Sequence, residues 1–583
     1  MKITKTFLLL LVIAILAFTL RLITAYYVDV GSDEMIYTLI PLNIIDAGRL
    51  STVEQAPVYF YLTDLGYKLT GGMNGVTGRL PSIFFGSAAI FLIYLITQLL
   101  FKNKTISLWS SFLFAVSGYA IRYNQEMDMT AFFLSLLSIY FFILVLQGED
   151  KKLYLAALFL ALAVMCKPIV LLFVPAYIII WILKERSASE KKTKWSISKE
   201  RLKIILLSLL LCIIIVTPVL TYNYFLYKEK GFTDYYFSVL GGLGSNQIYQ
   251  GQEAQPWTFQ TFFNVLRIII TRSFHFDTLL LLLGIIGIIL TFKTKEFNMG
   301  QSKTEKYTCL LLLSTSALLI LYIAGKMGSP THYVWISIIL SIFSGYAITT
   351  IADKIRHRFH THHLTAFILI LVTISTIMII KETMPLREKS AAIALRTYSQ
   401  QNIEKESLVV LDPRIYRGIY AWAFNDLHYL EGTSYPQLIN SINQIKGMKT
   451  TVPLYYIECA PGTNCGWKPE DFQRIAPAGE KLSEHFKKQT QKIAEVGEAE
   501  KFYIYKGSAT VPSDIFPIID QTHMHWYTPV AWKHKENAID NYTPKTTFDK
   551  LLNSFAFLIL YLDVAIALVS LLVPFYLLLR KSG

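Results

Sequence analysis

Runs of about twenty apolar residues recur along most of the chain, separated by short polar breaks. They lie roughly at 7–24, 82–100, 106–121, 129–147, 153–166, 168–183, 204–221, 277–292, 307–325, 333–351, 364–381 and 553–579. A helix of about twenty residues crosses ~30 Å of hydrocarbon, so the pattern predicts about twelve spanning helices. Between the last two runs the pattern changes. Leu408-Val409-Val410-Leu411, Pro453-Leu454-Tyr455-Tyr456-Ile457 and Phe502-Tyr503-Ile504-Tyr505 have the length and composition of strands, while 386–402 and 434–446 read as helices. A small α/β domain is therefore expected over 382–552, before a final span and tail at 553–583.

Basic residues mark one set of breaks. Alternating sides from the N-terminus puts Lys2 and Lys5, Lys102 and Lys104, Lys151 and Lys152, the 184–203 stretch, Lys293 to Lys306, Lys354 to Arg358, and Arg580 and Lys581 on one face. Cytoplasmic loops carry the excess of Lys and Arg, so this face is expected to be the cytoplasm, with both termini inside. The formal net charge of +14 then reports topology and argues against a nucleic-acid partner. Composition agrees: 53% hydrophobic and only 16% charged residues suit a chain solvated by a bilayer. Lys2 and Lys5 ahead of an apolar run, with Ile23-Thr24-Ala25 behind it, also have the form of a secretory signal. The run is long for a signal and its loss would break the alternation, so it is expected to remain as an anchor.

Three outer segments exceed the length of turns: 25–81, 222–276 and 382–552. The second is aromatic and glycine-rich, with Tyr235-Tyr236-Phe237, Gly241-Gly242-Leu243-Gly244 and Trp257. It reads either as an interfacial anchor or as a lid over a lipid-linked sugar. Cys166, Cys212 and Cys309 sit in or at the ends of spans and read as small apolar residues. Cys459 and Cys465 flank a tight loop of the outer domain that a disulfide would close in an oxidising compartment. A metal pair is the other reading, although Cys-x5-Cys without a second ligand pair is poor zinc spacing.

Candidate chemistry gathers on the outer face. Asp33 and Glu34 are adjacent just beyond the first span, where two carboxylates are costly to hold near hydrocarbon. They are followed by Glu54-Gln55-Ala56-Pro57-Val58-Tyr59-Phe60-Tyr61 and by Gly78-Arg79-Leu80-Pro81-Ser82. Arg122 to Asp128 lies at the junction of the third and fourth spans, Cys166-Lys167-Pro168 at the turn before the sixth, and His332-Tyr333 at the mouth of the tenth. With Arg21 near the end of span one, this order resembles the GT-C membrane glycosyltransferases, within them the branch of protein O-mannosyltransferases and lipid A aminoarabinose transferases. The resemblance covers roughly residues 7–350. It implies a polytopic α-helical membrane protein, GT-C-like, with a transmembrane catalytic module over 1–381. The chain departs from the family at Ala56, where a second proline is commoner, and it lacks the Trp-Trp-Asp signature of oligosaccharyltransferase catalytic subunits. Nor is the outer domain recognisable as the β-trefoil insert of eukaryotic protein mannosyltransferases.

Glycosyl transfer from a polyprenyl-phosphate sugar needs a carboxylate to take the acceptor proton as the anomeric carbon becomes oxocarbenium-like. Asp33, with Glu34 beside it, is the expected catalytic acid pair. Cations should meet the charge growing on the leaving phosphate, and Arg79, Arg122, Lys167 and His332 are the candidates. Asp128 and Tyr59 are expected to bind substrate. Glu54 occupies a position that contributes to a metal site in the aminoarabinose branch, so a divalent metal is a possible cofactor by resemblance alone. The bland readings stand beside these. Asp33 and Glu34 can cap the helix that follows, Asp128 can cap span four and pair with Arg122, and Arg79 can be an interfacial residue.

The expected activity is transfer of one sugar from a polyprenyl-phosphate donor to an envelope lipid, glycan or protein, at the outer side of the cell membrane. The competing class is a transporter or flippase of lipid-linked sugars. Transporters tend to show internal repeats and ionisable groups near the midplane, whereas these acids cluster at the outer ends of spans.

Overall fold

Helix boundaries follow local chemistry throughout the membrane module. The computed structural model describes residues 4–27, 32–42, 44, 48–53, 57–74, 76–123, 128–188, 198–240, 257–293, 303–326, 330–355, 370, 374, 377–378, 390–432, 448–467, 469–513, 515–516, 519 and 542–581. Helices α1 (Lys5–Tyr27) and α2 (Ser32–Leu39) precede α3 (Pro57–Thr70), which opens on a proline whose missing N–H has no partner to lose there. Helix α4 (Leu80–Phe101) ends where Lys102 turns left-handed at φ 51°. Asn103 then accepts from the N–H groups of Thr105 and Ile106 at 2.9 and 3.3 Å and starts α5 (Lys104–Ala115). Next come α6 (Gly118–Tyr123), α7 (Asp128–Leu146) and α8 (Leu153–Cys166). Lys167 is extended, and the 3-10 turn Pro168–Phe173 leads into α9 (Val174–Ala188). Helix α10 (Lys199–Lys230) stops at Gly231, which adopts φ 76° without a Cβ clash. Helix α11 (Phe259–Lys293) is bent by 112° between Ser273 and Asp277. Helix α12 (Lys303–Lys326), the 3-10 turn Pro330–Tyr333 and α13 (Val334–Ile355) follow.

Among the described residues eight helices are long and apolar enough to cross a membrane, or nine with the arms of α11 taken as one span. The expected number was about twelve. Helices α5 and α8, at 12 and 14 residues, stand where two spans were expected but are too short to cross alone. The run at 364–381 lies mostly outside the described residues. Helices α7 and α4 form the centre of the module, with 94% and 83% of their apolar windows buried, whereas α10 keeps only 28% buried and turns its leucines and isoleucines outward. The segment after α10 is tied down at its start, where the Tyr235 N–H donates to the Val53 carbonyl at 3.0 Å. Gly241 to Gly244, the expected lid, lie outside the described residues.

The small domain is a five-stranded mixed sheet with helices. Helix α14 (Ala391–Asn402) leads to β1 (Leu408–Leu411), α15 (Arg417–Ala423) and β2 (Tyr429–Glu431). Then come β3 (Lys449–Cys459), α16 (Pro469–Lys487), β4 (Gln491–Val496) and β5 (Phe502–Pro512). The order is β2-β1-β3-β5-β4, with β1 parallel to both neighbours and β5 antiparallel to β3 and β4. The three expected strands fall in β1, β3 and β5. Strand β2 has only three residues, and β4 is a largely exposed edge reading Gln-Lys-Ile-Ala-Glu-Val, so neither carries an apolar run. The expected helix at 434–446 lies outside the described residues. Cys459 and Cys465 form the expected disulfide. Helix α15 packs on α2, so the domain rests on the element that carries Asp33 and Glu34. The chain returns through α17 (Thr547–Ser570), opened by a Thr546/Asp549 capping box, and ends in α18 (Val573–Lys581).

Candidate functional site

The acid pair sits on α2, eight residues held between the end of α1 and the small domain. Glu34 is buried and forms a bidentate ion pair with Arg79: Nη2 donates to Oε2 at 2.8 Å and Nε donates to Oε1. The remaining arm of Arg79 donates to the Ala25 carbonyl at the end of α1. Arg79 closes a short 3-10 turn before α4, so this pair locks α1, α2 and α4 together. The side chain of Asp33, one position earlier on α2, lies outside the described residues, as does Glu54. Tyr59 is buried on α3 and its hydroxyl donates to the Gly78 carbonyl at 3.4 Å, beside Arg79.

A second cluster brings together three of the expected residues from distant parts of the chain. Asp128, at the first position of α7, is 1% exposed. His332 Nδ1 lies 2.6 Å from its Oδ1, and Lys167 Nζ lies 3.5 Å from its Oδ2. With the carboxylate as acceptor, the imidazole carries its proton on Nδ1. Lys167 is fixed because α8 ends at Cys166 and Pro168 forbids its continuation, which leaves the lysine extended between them. Its ammonium also sits 5.4 Å from the ring centroid of Tyr37, on α2. Lys167 therefore bridges the Asp128–His332 pair and the helix of the acid pair.

Arg122 is half-buried on α6, its guanidinium 5.6 Å from the Tyr123 ring. Its position is set by Asp277, which the sequence reading passed over. At the bend of α11 the Asp277 carboxylate accepts from the Gly118 and Tyr119 N–H groups at 2.7 and 3.1 Å and from Ser117 Oγ at 2.6 Å, capping α6. Arg272, five residues before Asp277, reaches the Tyr123 hydroxyl at 3.3 Å and so adds a second guanidinium there. The signal that would have found Asp277 is an acid at the edge of an apolar run. An acid in the interior of such a run marks Asp563, buried within α17 with neither carboxylate oxygen hydrogen-bonded. Arg21, buried on α1, donates to the Ala17 and Ala115 carbonyls at 3.2 and 3.4 Å and lies against the Phe114 ring. Among the described residues no group of three or more His, Cys, Asp or Glu is placed to hold a metal ion.

Residues 54–222 match the family described as dolichyl-phosphate-mannose-protein mannosyltransferase. That stretch carries Tyr59, Arg79, Arg122, Asp128 and Lys167. The structure is similar to that of ArnT from Cupriavidus metallidurans bound to undecaprenyl phosphate, with a TM-score of 0.57 at 12% identity, over 86% of this chain and 97% of that one. The apo form of the same ArnT gives a TM-score of 0.54 at 10% identity, over 85% and 97%. The likeness is one of fold, and it extends over nearly the whole of that ArnT. No curated protein sequence matches the chain. Within this fold, five of the residues expected to serve one site, Glu34, Arg79, Asp128, Lys167 and His332, are held in two buried polar clusters that share α2.

Proposed function

We propose that the chain transfers a single sugar from a polyprenyl-phosphate carrier to an envelope lipid, glycan or protein acceptor, at the outer face of the cell membrane. The observation that carries this reading is the position of Lys167, a buried ammonium held between Asp128 and the Tyr37 ring of the helix that bears Asp33. Asp33 precedes Tyr37 by four residues, about one helical turn. A phosphate-binding cation and a carboxylate base thus belong to neighbouring turns of the protein. Asp33 takes the proton of the acceptor hydroxyl, and Lys167, His332 and Arg122 meet the charge that develops on the departing phosphate. Glu34 and Arg79 neutralise one another and hold α2 in place. The matched family and the undecaprenyl phosphate bound by ArnT support a lipid-phosphate donor. Glu54 is the residue proposed for a divalent metal, should the reaction use one.

The test is Asp33→Asn, which keeps the size of the side chain and its capability to cap a helix but cannot act as a base. Transfer of sugar from a polyprenyl-phosphate donor should fall by about two orders of magnitude or more, the usual contribution of a general base, with expression and donor binding retained. An Asp33→Asn protein with wild-type turnover would make the acid structural and sink this mechanism.

A further inference from the structure

His332 is buried and tied to Asp128 through one ring nitrogen. Asp128 engages Nδ1 at 2.6 Å, so the ring is oriented and its Nε2 edge is the one left for other chemistry. Two polar atoms on the flanking segments, Thr130 Oγ1 and the Tyr333 hydroxyl, are also buried without a hydrogen-bond partner. Thr130 follows Asp128 by two residues and Tyr333 adjoins His332. A phosphate group has the acceptor oxygens that a Thr hydroxyl, a Tyr hydroxyl and an Nε2–H all need. The carboxylate on Nδ1 is also the arrangement by which a protein stabilises an imidazolium and aims its other nitrogen.

We infer that His332 is the general acid of the transfer: its imidazolium, oriented by Asp128, gives the Nε2 proton to the phosphate as that group leaves the sugar. This rests on the reading of the site as a lipid-phosphate sugar transferase. In the step the bond between the anomeric carbon and the bridging oxygen breaks, and its electron pair stays on the phosphate, which takes the Nε2 proton. The acceptor oxygen bonds to the anomeric carbon and its proton passes to Asp33. The products are the glycoside, a protonated phosphate monoester, neutral His332 and protonated Asp33, and solvent returns the proton from Asp33 to His332. The charged groups facing His332 are Asp128, from α7, and Lys167, from the turn after α8. Tyr333 beside it and Tyr119 on α6 are the neighbouring hydroxyls.

The test uses undecaprenyl phosphate, the leaving group itself, and the full chain in detergent. If His332 and the phosphate share a proton in this complex, binding by the wild type takes up one proton once both free groups are deprotonated. Affinity should then weaken by up to about tenfold per pH unit over the alkaline range in which both are deprotonated. In His332→Gln, which still donates to Asp128 but cannot titrate, the dependence should flatten. Turnover should fall about a hundredfold while KM for the donor stays within about threefold. A wild-type affinity that is flat over this range, or a slope unchanged in His332→Gln, overturns the general-acid role. The first of these needs no variant to fold. Absence of any undecaprenyl phosphate binding by the wild type is a different failure, and it would remove the donor-site reading itself.

Discussion

Replacing Arg79 by Met separates a structural cation from a substrate-binding one. Glu34 and Arg79 are 6% and 1% exposed at their side chains and share two charge-assisted hydrogen bonds, with the guanidinium also holding the Ala25 carbonyl. Removing one partner of such a pair leaves the other charge buried without its bidentate partner, at a cost of about 3–5 kcal/mol, roughly two to nearly four decades in the folding equilibrium. Arg79→Met should therefore destabilise the protein by about this amount, and Glu34→Gln by a similar one. The double variant Glu34→Gln/Arg79→Met removes both charges together. It should recover to within about 1–2 kcal/mol of the wild type, because an ion pair buried at this depth gains little over an uncharged pair of similar volume. Reversible unfolding of the four proteins in mixed micelles, titrated with SDS, measures the cycle. Binding of undecaprenyl phosphate by the double variant measures the function, and it should be retained. Two single variants as stable as the wild type, or additive losses in the double variant, would refute the internal pairing. Loss of lipid-phosphate binding in a stable double variant would return Arg79 to the donor site.

Lys167→Ala should weaken binding of a polyprenyl-phosphate sugar while leaving residual turnover, because Arg122 and His332 remain; donor affinity equal to wild type would make the lysine an interfacial anchor only. In the small domain, burial alone would raise the Glu458 carboxyl, but hydrogen bonds from Lys487, Ser483 and Tyr505 overcome it and hold the group below the ordinary glutamate range. A carboxyl depressed in the folded state stabilises it above the unfolded pKa and loses that contribution as pH falls through the folded value. Melting of the domain, followed by near-ultraviolet circular dichroism, should therefore become acid-sensitive below about pH 4, and Glu458→Gln should flatten that dependence. Cysteine labelling from either side of sealed vesicles should place 184–203 in the cytoplasm and 382–552 outside; both on the same side would end the topology inferred from the basic loops.

The membrane class, most helix positions and the small α/β domain were legible in the sequence because each is written in local periodicity. An apolar run reports its own burial, and a proline or an asparagine reports its own turn, as at Pro57, Pro168 and Asn103. The span count was less legible. Helices α5 and α8 are apolar yet short, since what surrounds them is protein as much as lipid, and hydropathy does not distinguish the two. Strands β2 and β4 escaped because an edge or a three-residue strand carries no run to see. Partnership was decided only by the tertiary structure. The sequence pointed to Arg79, Arg122, Lys167 and His332 as four equivalent outer cations, and folding divided them. Arg79 went to Glu34, Lys167 and His332 went to Asp128, and Arg122 was set on a helix that Asp277 caps from more than 150 residues away. An ionisable side chain in a low-dielectric interior is defined by the charge it meets, and that meeting depends on contacts between residues far apart in the chain, which local pattern does not encode.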